Sequence, residues 1–400
     1  MKPTDIILIT IRGFDGPGIT ARLTALLASE PRVRIIDIEQ TVVHRKLMLS
    51  ILVQFDRGRQ EKTAVLKELL FAAKEMGVSV DFEVFDHRYF EESQSGSLYA
   101  VTCLGKEIGA KPLAVVSSVL ATHEVNILKI GKLTERKLAC VELLIQAPQK
   151  LSAKKLLQDL LAKAHELDID IAFQPADISR RAKRLVVMDM DSTLVTGEAI
   201  DELAAKAGVA RKVKTITKQA MEGKLDFRQS LTKRVALLKG LPIANVHQVI
   251  RKIQLTKGAE RLIRVLKHLG YQTAVVSGGF TFFTDYLKNR LQLDYAFANE
   301  LELRDGKLTG KLVGDIIDGP GKAAILTSIA KKNGLTLDQV IAIGDGANDI
   351  PMLTTAGMGI AFHAKDVVKK AAHASIGKHS GLDSLLYLLG ISDREITALT

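Results

Sequence analysis

Two consecutive stretches of the chain carry the same order of hydrophobic patterns. In each, apolar strand-like runs alternate with segments whose apolar residues recur at helical spacing. The elements predicted in the first stretch are strand Asp5–Ile11, helix Ile19–Ala28, strands Val33–Val43 and Lys46–Phe55, helix Thr63–Met76 and strand Val78–Phe85. The two middle strands are too close for a crossover, so a hairpin near His44-Arg45 is expected. This βαββαβ order predicts a ferredoxin-like α+β domain over residues 1–90.

The order repeats after a polar connector, Glu91–Ser97. The elements predicted here are strand Leu98–Leu104, helix Lys111–Thr122, strands Asn126–Leu133 and Lys137–Gln146, helix Ala153–Leu167 and strand Asp168–Phe173. An internal repeat of this length predicts a second ferredoxin-like domain, residues 97–177.

From Arg184 onward, short apolar strands alternate with long helical stretches. The strands predicted here are Leu185–Met188, Gln272–Val276, Tyr295–Ala298, Val340–Ile343 and Gly359–Ala361. Such alternation predicts a doubly wound, parallel α/β sheet of the Rossmann type over residues 184–400. A helical insertion at about 195–257 has no strand of its own, and we expect it to cap the carboxyl edge of the sheet, where such folds bind ligands.

Composition narrows the classes of function. No apolar run approaches the roughly 18 residues of a membrane span, and no signal-peptide pattern begins the sequence, so we expect a cytoplasmic protein. Cys103 and Cys140 lie in apolar runs and are expected to be buried free thiols. The net charge of +11 would suit nucleic acid, an acidic membrane or an anionic small molecule. Because the basic residues are spread over helical faces and aromatic residues make up only 5%, we expect no nucleic-acid partner and no membrane partner.

Two carboxylates follow the first strand of the third predicted domain, in the run Leu185-Val-Val-Met-Asp189-Met-Asp191-Ser-Thr-Leu194. An aspartate at the end of a buried strand needs compensation, which a bound divalent cation supplies. This spacing allows Asp189 to offer its carboxylate to a metal and Asp191 its backbone carbonyl, leaving the Asp191 side chain free for proton transfer. An Asx-type turn or a helix N-cap is the alternative interpretation of this segment taken alone.

Two further segments offer groups that bind phosphate. Ser277-Gly278-Gly279 follows an apolar strand, and a hydroxyl with exposed backbone N–H groups at a strand-to-helix turn suits a phosphate. Lys322 begins an amphipathic helix, where its ammonium could neutralise phosphate charge. Taken singly, the first segment is equally typical of a tight turn, and Lys322 of a surface lysine.

The last motif places Asp345, Asn348 and Asp349 directly after the apolar run Val340–Gly344. Sites rich in oxygen with few protein ligands suit Mg²⁺, which keeps several waters and takes substrate phosphate as a ligand. The sequence has no HExxH motif, no closely spaced cysteine pair and no histidine cluster to indicate zinc. Glycine-rich dinucleotide and nucleotide loops are also missing.

In this order, the four segments resemble the haloacid dehalogenase-like phosphatase superfamily, over about residues 185–390. The resemblance implies that Asp189 is the nucleophile and forms a phosphoaspartate, and that Asp191 is the general acid and then the base. It implies Mg²⁺ as the cofactor, held by Asp189, the Asp191 carbonyl and Asp345, with Asp349 in support. The implied substrate contacts in this core are Ser277, Gly278, Lys322 and Asn348.

The helical insertion resembles the branch of the superfamily that acts on phosphorylated amino acids. This implies Glu198 for the substrate ammonium, Arg234 for its carboxylate, and Met221 and Phe227 as a dry lid. Ordinary helix packing is the alternative role for Met221 and Phe227. The expected substrate is O-phospho-L-serine, hydrolysed to L-serine and phosphate in serine biosynthesis. The alternatives are another small phosphomonoester, such as phosphohomoserine or phosphothreonine, and an amino-acid sensor with an inactive phosphatase domain.

The front half resembles two tandem ACT domains, small modules that sense amino acids. The first copy carries Gly13-Phe-Asp15-Gly-Pro17-Gly18-Ile, a strand-to-helix turn whose amides suit an amino-acid carboxylate, with Asp15 and Gly18 as candidate contacts. The second copy, 105–113, keeps a glycine and a proline but loses the spacing of the acidic residue. The resemblance implies an amino-acid effector, with L-serine as the expected one. Because such modules pair edge to edge, it also implies a homodimer.

Overall fold

The computed structural model describes residues 5–31, 33–55, 59–85, 96–135, 137, 139–177, 180, 182–377 and 379–399. The chain forms two compact units, Met1–Ser95 and Gly96–Thr400. Most of the predicted connector Glu91–Ser97 lies outside the described residues. Every helix in those ranges is too short or too polar to span a bilayer.

The first unit has the βαββαβ order predicted from the sequence. Its elements are β1 (Asp5–Phe14), α1 (Ile19–Ala28), β2 (Val33–Val43), β3 (Lys46–Phe55), α2 (Arg59–Glu75) and β4 (Ser79–Phe85). The strands form an antiparallel sheet in the order β2-β3-β1-β4. The buried side chains of Ile9, Leu23 and Ile51 belong to one hydrophobic core that the helices cover. The predicted hairpin is confirmed, because His44 and Arg45 both adopt positive φ between the paired residues Val43 and Lys46.

Strand β1 is three residues longer than predicted. It pairs with β3 as far as Phe14, and it passes through Gly13 beside Val78. A β-carbon on Gly13 would lie 2.5 Å from Cγ1 of Val78, so only glycine permits this close packing. The sequence pattern places a turn here because glycine is the usual residue of turns.

The second unit begins with the repeated βαββαβ motif. Its elements are β5 (Ser97–Leu104), α3 (Ala110–Thr122), β6 (Asn126–Lys132), β7 (Cys140–Ala147), α4 (Ala153–Leu167) and β8 (Asp170–Pro175). Cys103 pairs with Val141 and Leu104 with Cys140, so the two thiols point to opposite faces of the sheet. Both are buried and free, and burial raises the pKa of each.

The remaining strands of the second unit form the α/β core. They are β9 (Leu185–Met188), β10 (Gln272–Phe280), β11 (Tyr295–Arg304), β12 (Lys307–Val313), β13 (Val340–Gly344), β14 (Met358–Phe362) and β15 (Ala374–Ile376). The helices after β9 are α5 (Ala199–Lys206), α6 (Ala210–Met221), α7 (Phe227–Ala236), α8 (Ile243–Ile250), α9 (Ala259–His268), α10 (Thr281–Leu291), α11 (Gly319–Lys332), α12 (Ile350–Thr355), α13 (Asp366–Ala371), α14 (Leu385–Leu388) and α15 (Asp393–Leu399).

All the strands of the second unit belong to one sheet, in the order β12-β11-β10-β9-β13-β14-β15-β8-β5-β7-β6. The segment from β11 to β15 is parallel, which confirms the predicted doubly wound core. The sheet as a whole is mixed, and the sequence pattern missed two of its strands. β12 returns antiparallel to β11 through the tight turn Asp305-Gly306, and β15 pairs antiparallel with β8 at Ala374 and Ala172. Polar residues and glycine interrupt β12, and β15 has only three residues, so neither carries a strong strand pattern.

The insertion is helical, as predicted. It consists of α5 to α8, and the chain enters it at Val195 and leaves at Leu255, where these two residues form an isolated antiparallel bridge. Buried side chains of the insertion, such as Leu203 and Leu231, join the same hydrophobic core as those of the α/β sheet. The insertion therefore packs as a cap on the sheet.

Candidate active site

The carboxyl ends of β9, β10 and β13 meet at one edge of the sheet, with β9 between the other two. All four residues of β9 are fully buried, so hydrophobic packing holds the strand that ends just before Asp189. The N–H of Asp189 donates to the carbonyl of Ile343 on β13 at 2.9 Å. Ser277 lies where the pairing of β10 becomes irregular, and Asp345 follows β13. Parallel strands thus bring motifs that are distant in sequence to one place.

Three carboxylates form a cluster that suits a metal ion. One oxygen each of Asp189, Asp345 and Asp349 lies within 4.8 Å of the others. Lys322, only 1% exposed, donates from Nζ to Oδ1 of Asp189 at 2.6 Å and to Oδ1 of Asp349 at 2.7 Å. One buried ammonium does not balance three carboxylates, so this donor set fits a divalent cation.

The pKa values reflect this crowding. Burial, followed by repulsion from Asp349, raises the pKa of Asp189 to about 7 despite the nearby Lys322. Burial and then Asp349 likewise raise the pKa of Asp345 to about 7. Burial alone would lower the pKa of Lys322, but the carboxylates of Asp189 and Asp349 hold it above its usual range. A divalent cation would favour the ionised carboxylates and relieve their repulsion.

Asp191 lies beside this cluster and turns its side chain to the cavity. Its Oδ1 accepts a hydrogen bond from the N–H of Ala199, at the start of α5, at 2.8 Å. Burial, then repulsion from Glu198 and Asp189, raises the pKa of Asp191 well above its usual range. A carboxyl group that keeps its proton at this position can donate it to a leaving group.

The carboxyl end of β10 forms an irregular loop, Ser277-Gly278-Gly279, where regular pairing with β11 is interrupted and no room is left for side chains. The hydroxyl of Ser277, which is fully buried, accepts from the N–H of Gly279 at 2.8 Å. A β-carbon on Gly278 would lie 2.7 Å from Cζ of Phe227, and one on Gly279 would lie 2.9 Å from Oδ2 of Asp191. The absence of side chains therefore keeps the backbone of this loop open toward the carboxylates, as phosphate binding by amides requires.

Buried Asn299 on β11 braces this loop. Its Nδ2 donates to the carbonyl of Gly278 at 2.8 Å, and its Oδ1 accepts from the N–H of Ile317 at 2.7 Å. One side chain thus ties the loop to the segment that leads into α11, the helix of Lys322. Asn299 was not predicted from the sequence, because a single amide inside a strand carries no motif.

The cap closes a cavity of about 820 Å³ over this edge of the sheet. Glu198, at the start of α5, and Arg234, on α7, both line it. Burial, then the charge of Asp189, raises the pKa of Glu198 to about 7, while Arg234 opposes that rise. Burial lowers the pKa of Arg234, and Glu198 opposes that change. The cap therefore contributes one acidic and one basic residue to the lining of the cavity, beside the carboxylate cluster.

Comparison with known proteins places the chain in a family. Models of ACT domains match residues 5–83 and 97–174, and a model of haloacid dehalogenase-like hydrolases matches residues 186–354. A phosphoserine phosphatase of Streptomyces coelicolor is 42% identical over 393 residues, which cover 98% of this chain and 94% of that protein. A phosphoserine phosphatase of Mycobacterium tuberculosis is 40% identical over 393 residues, 98% of this chain and 95% of that protein. The chain belongs to the haloacid dehalogenase-like hydrolase family.

The fold of this haloacid dehalogenase-like hydrolase agrees with that of a solved relative. The crystal structure of a family hydrolase from Salmonella enterica matches with a TM-score of 0.64 and 32% identity, covering 73% of this chain and 98% of that one. The predicted fold class, an α/β hydrolase core with a cap after two ACT domains, is confirmed, and so is the predicted enzyme class. Phosphatases of this family use a divalent metal, which agrees with the carboxylate cluster.

The structure of the hydrolase brings most of the predicted site residues to the cavity. Those that line it are Asp189, Asp191, Glu198, Phe227, Arg234, Ser277, Gly278, Asp345 and Asn348. Lys322 and Asp349 are buried and hydrogen-bonded to each other beside Asp189. Met221 ends α6, but its side chain lies outside the described part of the chain. Asp15 and Gly18 belong to the first unit, where Gly18 precedes α1 at a φ of 93°.

Other residues at the cavity were not predicted from the sequence. Ser230 lines it from α7, and His363, Lys365 and Val367 line it from the segment after β14. Ser230 lies four residues before Arg234, and this helical spacing could have identified it. The segment after β14 contains no acidic pair and no glycine run, so the pattern offered no signal there.

Proposed function

We propose that this hydrolase cleaves O-phospho-L-serine to L-serine and phosphate. The observation that carries the proposal is the joint presence, around one cavity, of the Asp189 cluster with Glu198 and Arg234. A phosphate ester with an ammonium and a carboxylate complements all three. The names of the relatives from Streptomyces and Mycobacterium support the same substrate.

The reaction would proceed in two displacements at phosphorus. An oxygen of Asp189 attacks phosphorus and the bond to the serine oxygen breaks, while Asp191 gives that oxygen its proton. Asp191, now ionised, takes a proton from water, whose oxygen attacks phosphorus and releases Asp189. The raised pKa of Asp191 and its position beside the cluster support this role.

We propose Mg²⁺ as the cation. Asp189, the carbonyl of Asp191 and Asp345 would hold it, with Asp349 in support, because all-oxygen sites with few protein ligands suit this ion. The bound cation would supply positive charge for the phosphoryl oxygens. Lys322 would add a second positive charge, and the hydroxyl of Ser277, the amide of Gly278 and the side chain of Asn348 would donate hydrogen bonds to the same group.

The cap would bind the ammonium and the carboxylate of the substrate. Glu198 would bind the ammonium, and Arg234 would hold the carboxylate through its planar fork of N–H groups. Phe227 packs against Gly278, and together with Met221 it would cover the phosphoryl group and exclude water.

The test is steady-state phosphate release from phosphoserine, phosphohomoserine, phosphothreonine and phosphoethanolamine, with and without Mg²⁺. We expect kcat/KM for phosphoserine to exceed the others by roughly tenfold or more. Phosphoethanolamine lacks the carboxylate, phosphohomoserine shifts the amino-acid head by one methylene, and phosphothreonine adds a methyl group. Activity should fall to background in chelator and return with Mg²⁺. Equal kcat/KM across the panel would contradict the proposed substrate.

We further propose that an amino acid, L-serine, binds the first ACT domain and inhibits the enzyme. The exposed turn at Asp15 and Gly18, which leads into α1, supports this proposal. L-Serine should inhibit the full chain, and Asp15→Ala should weaken that inhibition while Asp81→Ala, at another exposed aspartate of this domain, should not. Equal inhibition of all three proteins would place serine at the active site instead.

The domain division 1–90, 97–177 and 184–400, with the cap at about 195–257, remains part of the proposal, as do a homodimer and a cytoplasmic location. The two free buried thiols support a reducing compartment. Sedimentation of the full chain tests the dimer.

A further inference from the structure

The hydroxyl of Ser230 is a buried polar group in the wall of the active-site cavity. Ser230 is 1% exposed, and within the described part of the chain its Oγ makes no hydrogen bond. The residue nevertheless lines the cavity. Buried polar atoms in folded proteins are nearly always bonded, so an exception at a binding cavity indicates a group that a ligand completes.

A second hydroxyl on helix α7 makes the hydrogen bond to the backbone that, among the residues that the structure describes, the hydroxyl of Ser230 lacks. Thr232, two residues further on, donates from Oγ1 to the carbonyl of Arg228 one turn earlier, at 2.8 Å. Helical serine and threonine commonly make this bond to the backbone. The hydroxyl of Ser230 makes no such bond, although Asp226 offers a carbonyl at the same spacing. It is therefore left available to the cavity.

The position of Ser230 relative to Arg234 indicates which substrate group the hydroxyl of Ser230 would contact. Residues four apart lie on one face of a helix, and Nε of Arg234 donates to the backbone carbonyl of Ser230 at 3.4 Å. The guanidinium stem thus lies along Ser230, and both residues line the cavity. Glu198, the acidic residue that the cap contributes to the cavity, lies at the start of α5, a different element.

We propose that Ser230 determines specificity by donating a hydrogen bond to the substrate carboxylate that Arg234 holds. This rests on the proposed function. A carboxylate has about four acceptor positions, and a guanidinium fork fills two of them, so a neighbouring hydroxyl adds a bond without competing. The ligand class is an α-amino acid phosphorylated on its side chain. Ser230 distinguishes it from phosphate esters that lack the carboxylate.

The test compares phosphoserine with phosphoethanolamine, which keeps the ammonium and the phosphate but has no carboxylate. Ser230→Ala should lower kcat/KM for phosphoserine roughly 10- to 100-fold, mainly through KM, because a hydrogen bond to a charged group is lost. The value for phosphoethanolamine, or its inhibition constant if turnover is slow, should change less than about twofold. Thr232→Ala, on the same helix but away from the cavity, is the matched control and should change neither.

Several outcomes would overturn the proposal. If Ser230→Ala lowered kcat/KM equally for both esters, Ser230 would have a role in the cavity unrelated to the carboxylate. If kcat/KM fell for neither ester, Ser230 would take no part in substrate recognition. A melting temperature several degrees lower for Ser230→Ala would reveal a structural partner, whereas loss of an unpaired hydroxyl should leave it unchanged or raise it. If the wild type itself does not prefer phosphoserine over phosphoethanolamine, the proposed function fails, independently of Ser230.

Discussion

Asp189, Glu198 and Asp345 each have a pKa raised to about 7, and burial is the main cause in every case. A carboxyl group whose pKa is higher in the folded chain stabilises the fold at low pH. That stability is lost as the pH rises from the ordinary carboxyl range through about 7, since the folded state must then bury charge. A cation bound to the cluster favours the ionised form and reverses the effect.

We therefore predict that the metal-free protein melts at a lower temperature at pH 8 than at pH 5.5. Mg²⁺ should raise the melting temperature by a few degrees at pH 8 and by much less at pH 5.5. Calorimetry in chelator and in Mg²⁺ measures both effects. Asp345→Asn, which removes one member of the cluster, should reduce the difference that Mg²⁺ makes, and a stabilisation by Mg²⁺ independent of pH would contradict the account.

At the scale of elements, Asn299 of β11 holds the loop Ser277-Gly278-Gly279 in place. Both of its bonds are made in a buried position, to Gly278 on one side and Ile317 on the other. We predict that Asn299→Ala destabilises the fold by about 1 to 3 kcal/mol and lowers kcat at least tenfold, because the loop loses its fixed position. Denaturant unfolding and steady-state kinetics measure the two effects.

The matched control is Asn245→Ala, an asparagine of α8 that lies away from the cavity, and it should change neither quantity appreciably. A loss of stability in Asn299→Ala with unchanged kcat would show that the loop does not need this brace for catalysis.

The elements differ in how far the sequence could predict them. Asp189, Ser277 and Asp345 were predictable because each follows a short apolar run, and parallel strands must bring their carboxyl ends together. The helical spacing from Arg234 could place Ser230 at the cavity. The roles of Ser230 and Asn299 were not predictable, because each depends on which cavity or loop lies opposite the side chain in three dimensions. The strand β15 was missed for the same reason, since three residues acquire strand structure only through β14 and β8.

On the scale of the whole second unit, β8 of the ACT fold joins the hydrolase sheet at β15. Oδ2 of Asp170 at the start of β8 accepts from the N–H of Gly377 at 2.6 Å, just beyond β15. The preceding residue, Ile376, accepts from the N–H of His363, which lines the cavity. The ACT sheet is therefore joined by hydrogen bonds to the wall of the active site.

We predict that Asp170→Ala destabilises the protein by about 1 to 3 kcal/mol, because the N–H of Gly377 loses its partner. The change should also raise KM for phosphoserine by a few fold, because the part of the cavity wall at His363 would be displaced. Asp159→Ala, which removes a partly exposed hydrogen bond to Nε2 of His123 in the same ACT fold, should destabilise the protein less than Asp170→Ala and leave KM unchanged. Unchanged stability in Asp170→Ala would rule out this junction as a structural element.

The central claim is that Asp189 carries the phosphoryl group. Rapid acid quenching during turnover of phosphoserine, followed by mass spectrometry of the peptides, tests it most directly. The account predicts one added phosphoryl group on Asp189, lost on treatment with hydroxylamine, and neither label nor turnover in Asp189→Asn. Label on a different residue, or an Asp189→Asn protein with activity near that of the wild type, would contradict it.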